Sequence, residues 1–218
     1  MKNALLFLCY ILTLVIIFSS NSQATPIYGN TESGGLEKLG SFTGELLYNA
    51  SNDNSATLTF KLTNNSTQSN GGYLTAFAFL MPNASINVER LVTPLSNFNL
   101  LKGPISAAPF DNFDIGVSIS DSWLGGGNPN KGLNVSNTGE FTFYLTGTGL
   151  SKLTVDDFTR KNNFLAARFR GFQDGGSDKV PAAVAAAAGV PEPSILILLG
   201  SGLIGLGIIK RKKKNIEN

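Results

Sequence analysis

Residues able to carry chemistry are few in this chain of 218 residues. There is no histidine, and the one cysteine is Cys9, near the N-terminus. Ser–His and Cys–His nucleophilic catalysis and the usual zinc ligand sets therefore lack their members. A pair of carboxylates remains a conceivable acid and base for hydrolysis. The acidic residues, however, fall mostly in loop-like stretches or at strand ends, with no spacing that gathers them. Asp156 and Asp157 are adjacent and would face opposite ways in a strand. No enzymatic activity is expected. Two acidic loops, Asp111-Asn112-Phe113-Asp114 and Asp174-Gly175-Gly176-Ser177-Asp178, each offer two carboxylates. A calcium ion takes roughly 6–8 oxygens, and neither loop has an EF-hand spacing. Asp and Asn before Gly are first of all turn formers, so no cofactor is expected, with calcium the one candidate.

The most distinctive loop is Asp121-Ser122-Trp123-Leu124-Gly125-Gly126-Gly127-Asn128-Pro129-Asn130-Lys131-Gly132. A Trp beside glycines can offer its face to a sugar ring while Asp121, Asn128 and Asn130 supply hydrogen bonds. A Trp next to an apolar Leu124 more often buries, and the preferred expectation is that Trp123 caps an open end of the fold.

A second stretch with a legible task is at the C-terminus. It runs Val190-Pro191-Glu192-Pro193, then residues 194–209 without a charge, then Lys210-Arg211-Lys212-Lys213-Lys214. The prolines flanking Glu192 remove two backbone donors and hold the segment extended, apart from the helix after it. At about 1.5 Å per residue the apolar run is slightly short for a hydrocarbon core of roughly 30 Å. Snorkelling lysines or local thinning of the bilayer cover the shortfall. Gly200, Gly202, Gly205 and Gly207 suit a lipid-embedded helix better than a water-exposed one. The basic cluster belongs on the cytoplasmic side, which puts everything before Val190 outside. A plain C-terminal anchor would need only the apolar length and the positive flank; the extended, charged strand at the membrane surface is what a processing enzyme can grip.

These three parts, in this order, resemble the PEP-CTERM sorting signal of Gram-negative bacteria, with the match at Pro191, Glu192, Pro193, the apolar span and residues 210–214. The resemblance implies recognition by an exosortase, a membrane-embedded cysteine transpeptidase that removes the tail and sends the protein onward, in a bacterium that makes exopolysaccharide. The region before the tail also looks like the sandwich domains that often precede it, notably at residues 73–80, at Asn128-Pro129-Asn130-Lys131-Gly132 and at residues 176–181. That similarity carries no assigned activity.

The N-terminus has its own address. Lys2 precedes an apolar run over residues 4–18, and Ser22-Gln23-Ala24 places small residues where a signal peptidase cuts, before Thr25. Signal peptidase and the Sec translocon are the expected partners there. Cys9 leaves with the signal peptide, so the mature domain has neither thiol nor disulfide and must rely on its own core. The organisation expected is a signal peptide at 1–24, a domain at 25–180, an Ala-rich linker at 181–189, the sorting signal at 190–214 and a polar tail at 215–218.

The charge total misleads until the two addresses are set aside. Lys2 and the basic residues 210–214 leave 11 of the 17 positive charges in residues 25–189, and Glu192 and Glu217 leave 13 of the 15 negative ones. The net is then −2 rather than the +2 of the whole chain. Nucleic acid is not an expected partner.

Period-two alternation dominates the middle of the chain. Leu58, Phe60 and Leu62 alternate with Thr57, Thr59, Lys61 and Thr63, and residues 113–120 and 141–146 alternate likewise. Residues 73–80 are apolar at almost every position, as in a central strand covered on both faces. Residues 164–172 place Leu165, Ala167 and Phe169 on one side and Arg168 and Arg170 on the other. Strands are also expected at 40–49, at 86–92 and around 95–101, with 25–38 wrapping loosely before the first. Helix is confined to one turn starting at Thr154, with Asp157 three residues on as in a capping box.

The expected fold is all-β, an antiparallel sandwich of about 7–9 strands, flanked by the signal helix and a C-terminal transmembrane helix. The expected function is that of a non-enzymatic exported protein of the envelope or extracellular matrix. It would be held transiently in the inner membrane, facing the periplasm, processed by an exosortase and associated with polysaccharide or biofilm. The alternatives are a carbohydrate-binding module using the Trp123 loop and a permanently anchored periplasmic sandwich.

Overall fold

The computed structural model describes residues 24–124, 126–186 and 200. Apart from Ala24 and Gly200, the expected signal peptide, the apolar span and the basic cluster lie outside the described residues. Two units separate, Met1–Ala185 and Ala186–Asn218, and the strands belong to the first.

The described residues of that unit form eleven strands: β1 (Thr25–Gly29), β2 (Phe42–Ala50), β3 (Ser55–Asn64), β4 (Gly71–Phe79), β5 (Asn87–Val92), β6 (Asn99–Ser106), β7 (Asn112–Ser118), β8 (Thr138–Thr146), β9 (Leu165–Phe172), β10 (Ser177–Pro181) and β11 (Ala183–Val184). One short helix, α1 (Val155–Thr159), precedes β9. The strands form two antiparallel sheets, ordered β11-β1-β2-β3-β8-β5 and β10-β9-β4-β7-β6. The all-β expectation holds.

Alternation explains how the sheets meet. Ala56, Leu58, Phe60 and Leu62 of β3 and Phe141, Phe143 and Leu145 of β8 turn inward from the six-stranded sheet. Phe77 and Phe79 of β4 and Leu165, Ala167 and Phe169 of β9 answer from the other. Phe60 lies 4.8 Å from Phe79, Phe79 lies 4.9 Å from Phe143 and Phe77 lies 4.9 Å from Phe141, centroid to centroid. Tilted and edge-on pairs of this kind add to the burial of apolar area itself. On the solvent face of β3 and β8 hydroxyls meet instead, Thr59 with Thr142 at 3.0 Å and Thr63 with Thr138 at 2.7 Å.

Helix α1 begins as its sequence requires. The Thr154 amide donates to Asp157 Oδ2 at 2.8 Å, and the Thr154 hydroxyl donates to the same oxygen at 3.2 Å. That satisfies a donor which the first turn of any helix leaves orphaned.

Four expectations need correction. The described residues form eleven strands, not about 7–9, because short segments such as β1 and β11 gain strand geometry by pairing with distant parts of the chain. Residues 25–29 are not loose wrapping but β1, paired with β2 from Thr25↔Leu46 to Gly29↔Phe42. The expected linker from residue 181 begins too early: Pro181 ends β10, Ala183–Val184 pairs with β1, and the Ala185 amide donates to Pro26 O at 2.9 Å. The strand expected around 95–101 is displaced to Asn99–Ser106. Phe98 is buried in the core ahead of it, and the strand runs on past a register shift at Lys102/Ile105, where Gly103 takes φ +99°. A glycine supplies that backbone conformation without strain.

Candidate functional site

The outer face of the five-stranded sheet is built to receive a large ring. Register sets Ala166, Ala78 and Gly116 in one row across β9, β4 and β7, with Ala76 two residues along β4. These small side chains make a floor, and Trp123 packs over it with Ile105, Ala107 and Phe113. The floor has no slack at Gly116, where a Cβ would stand 2.7 Å from Ile105 Cδ1 and 3.2 Å from Phe77 O. Trp123 is 4% exposed, so its ring offers no face on which a sugar could stack. It covers the outside of a sheet rather than an open end of the sandwich.

Polar groups fix the loop that carries it. Ser118 and Ser120 hydroxyls donate to Ser122 O at 3.0 and 2.9 Å. Arg168 Nη1 donates to Trp123 O at 3.1 Å, and Arg170 Nη1 donates to Gly126 O at 3.0 Å. Lys179 Nζ donates to Ala108 O in the neighbouring loop. Two buried donors, Trp123 Nε1 and Arg168 Nε, have no acceptor. Burial, and after it the charge of Arg170, lowers the Arg168 pKa below its ordinary value. Burial and then the charge of Arg168 lower that of Lys179.

The four loop residues singled out from sequence are not brought together. Asp121, Ser122, Trp123 and Leu124 border a groove of about 620 Å³ whose far wall is β6, including Leu101 and Ile105. Leu124, on the groove's rim, is 60% exposed. Asn128 and Asn130 are not part of its lining: they belong to a short 3-10 turn, Pro129–Lys131, where Asn128 Oδ1 accepts from the Asn130 amide at 3.3 Å.

The acidic loops spend their oxygens on backbone amides. Asp178 is 2% exposed; its Oδ1 accepts from Glu37 and Lys179 at 3.0 and 2.7 Å, and its Oδ2 from Leu39 and Gly40, both at 3.0 Å. Asp114 Oδ2 accepts from Met81 at 2.8 Å, and Asp174 Oδ1 from Gly176 at 3.0 Å. Among the described residues no group of three or more His, Cys, Asp or Glu is placed to hold a metal ion. Among the described residues, too, no helix is long and apolar enough to cross a membrane.

Asn64, which opens an Asn-x-Ser triplet, is fully buried. Its Nδ2 donates to Gly72 O and Leu133 O at 3.0 and 2.9 Å, and its Oδ1 accepts from Ser66 at 3.0 Å. Of the expected signal-peptidase site, Ala24 is exposed and Thr25 opens β1, while Ser22 lies outside the described residues. Val190, Pro191, Glu192, Pro193 and Lys210 to Lys214 lie outside them as well.

The fold thus defines an all-β domain followed in sequence by a short C-terminal address. That address is a PEP-CTERM protein-sorting motif, matched at residues 189–212, as expected of an exosortase substrate. No curated protein and no solved structure matches the chain.

Proposed function

We propose that this is a non-enzymatic exported protein of the cell envelope or extracellular matrix, sorted through its C-terminus. It is made with a signal peptide over residues 1–24 and held in the inner membrane of a Gram-negative bacterium by residues 194–209. An exosortase then trims it, and it is released or attached outside among exopolysaccharide. The sorting motif at 189–212 carries the reading, with exosortase as processing partner and the envelope as destination. The sequence supports the non-enzymatic part through its lack of histidine and its single cysteine, Cys9. The β1–β11 pairing fits this order of events: among the described residues, the eleven strands and the Ala185 amide that donates to Pro26 O all precede the motif in sequence.

The test is the intact mass of the protein from wild-type cells and from cells lacking exosortase. Loss of the tail only in the wild type is expected. A full-length tail in both would favour the permanently anchored alternative.

A further inference from the structure

The outer face of the five-stranded sheet holds cations in an arrangement a stability-driven sheet avoids. Lys179 of β10 stands directly opposite Arg168 of β9, and Arg170 comes two residues on along the same face. Like charges opposite one another across a strand pair destabilise it. On the other sheet the chain does the reverse: Lys61 of β3 has Glu45 opposite on β2 and Glu140 opposite on β8.

The hydrogen bonds of Lys179 and Arg168 run to the carbonyl oxygens of Ala108 and Trp123, which satisfy donor geometry without cancelling charge. Neither Arg168 nor Lys179 has a carboxylate of the described residues within ion-pair distance. The charges that act on these two groups are of their own sign, Arg170 on Arg168 and Arg168 on Lys179. The buried orphan donors Trp123 Nε1 and Arg168 Nε belong to the same face. All of this occurs in a domain whose own charge, residues 25–189, is −2.

The geometry points to an anion-binding face made by Arg168, Arg170 and Lys179, whose ligand is a carboxylate-bearing polysaccharide outside the cell. A guanidinium pairs with a carboxylate through two parallel N–H donors, and successive uronate units would place such groups along the Arg168–Arg170 row. The choice of a polysaccharide among polyanions rests on the exported location proposed above; the cationic face itself does not.

Fluorescence of Trp123, the chain's single indole, reports on this face alone. The full chain in detergent is titrated with polygalacturonate, with neutral dextran and with polyphosphate. The tail cluster at 210–214 also attracts polyanions, but it is the same in every variant. Saturable change with polygalacturonate, weakened by added salt and absent with dextran, is expected. Lys179→Glu and Arg170→Gln should each weaken it about tenfold or more, the equivalent of one lost charge contact. Arg168 is left in place because it holds the Trp123 carbonyl. An unchanged Trp123 emission maximum in the unliganded variants checks that the loop is intact. No response to polygalacturonate, an equal response to dextran, a response to polyphosphate alone, or binding indifferent to both substitutions overturns the proposal. Exosortase trimming of the tail is scored separately by mass, so failure of the binding face and failure of the sorting reading are told apart.

Discussion

Arg168 reaches across the outer face of its sheet to donate to the main-chain carbonyl of Trp123 at 3.1 Å, while the indole packs over a floor that includes Ala166, two residues before it on β9. One strand thus holds the loop by its backbone and seats its side chain. Trp123 is consequently part of the folded core, although the residues flanking it, Ser122 and Leu124, are exposed.

Truncating the ring tests that statement. Trp123→Ala should cost about 3–5 kcal/mol, the range for removing a large buried aromatic and leaving a cavity. Trp123→Phe, which keeps most of the contact with the alanine floor, should cost less. Urea unfolding tracked by far-UV circular dichroism measures both, and an alanine variant as stable as the parent would mean the ring is not packed there.

Asp178 joins β10 to residues 37–40 through three of their amides. Asp178→Ala leaves those donors, of which the Gly40 amide is buried, without an acceptor and should destabilise the domain by about 3 kcal/mol. Added calcium should not stabilise the parent protein, because both oxygens of the Asp178 carboxylate are already taken by N–H groups. Thermal melts with calcium and with a chelator give the readout.

Asn64→Ala removes the side chain that serves Gly72, Leu133 and Ser66 together. A cost of about 2–3 kcal/mol is expected from the buried groups it strands. The same burial predicts that Asn64 carries no glycan even when the chain is made in a host that modifies such triplets. Peptide mass mapping checks this.

Tyr48 provides a pH dependence. Its hydroxyl donates to Leu150 O at 2.7 Å and its ring lies 5.1 Å from Phe158. Burial, and then the charge of Asp157, raise its pKa above the ordinary value of 10.0. The folded state therefore holds this proton more tightly than the unfolded chain. Its contribution is fully present below pH 10.0 and is lost as pH rises through the higher folded value. Stability should fall with pH across that window. Tyr48→Phe should flatten the fall and cost about 1 kcal/mol at neutral pH, from the lost hydrogen bond. Denaturant midpoints collected from neutral pH into the alkaline range would show it.

Much of the architecture was present in local pattern. Alternation at Leu58, Phe60 and Leu62 and at Phe141 and Phe143 declares half-buried strands, because side chains of a strand point alternately to its two faces. The nearly unbroken apolar stretch at 73–80 became β4, third of five in its sheet. Thr154 and Asp157 marked the start of α1. The address at the C-terminus was legible too, since proline, apolar length and basic charge act through composition and order rather than contacts. What sequence alone could not decide was everything set by partners distant along the chain. β1 and β11 are too short to show a period, and they exist as strands because each finds the other and β1 finds β2. Asp178 read from sequence as part of a turn-forming loop with calcium only a candidate ligand, while three of the amides that claim it come from residues 37–40. Trp123 was exposed or buried according to whether a floor of small residues lay beneath it, and only the register of β9, β4 and β7 put Ala166, Ala78 and Gly116 side by side. The like-charged pair of Arg168 and Lys179 has the same origin, because cross-strand neighbours arise from pairing, which no local window contains.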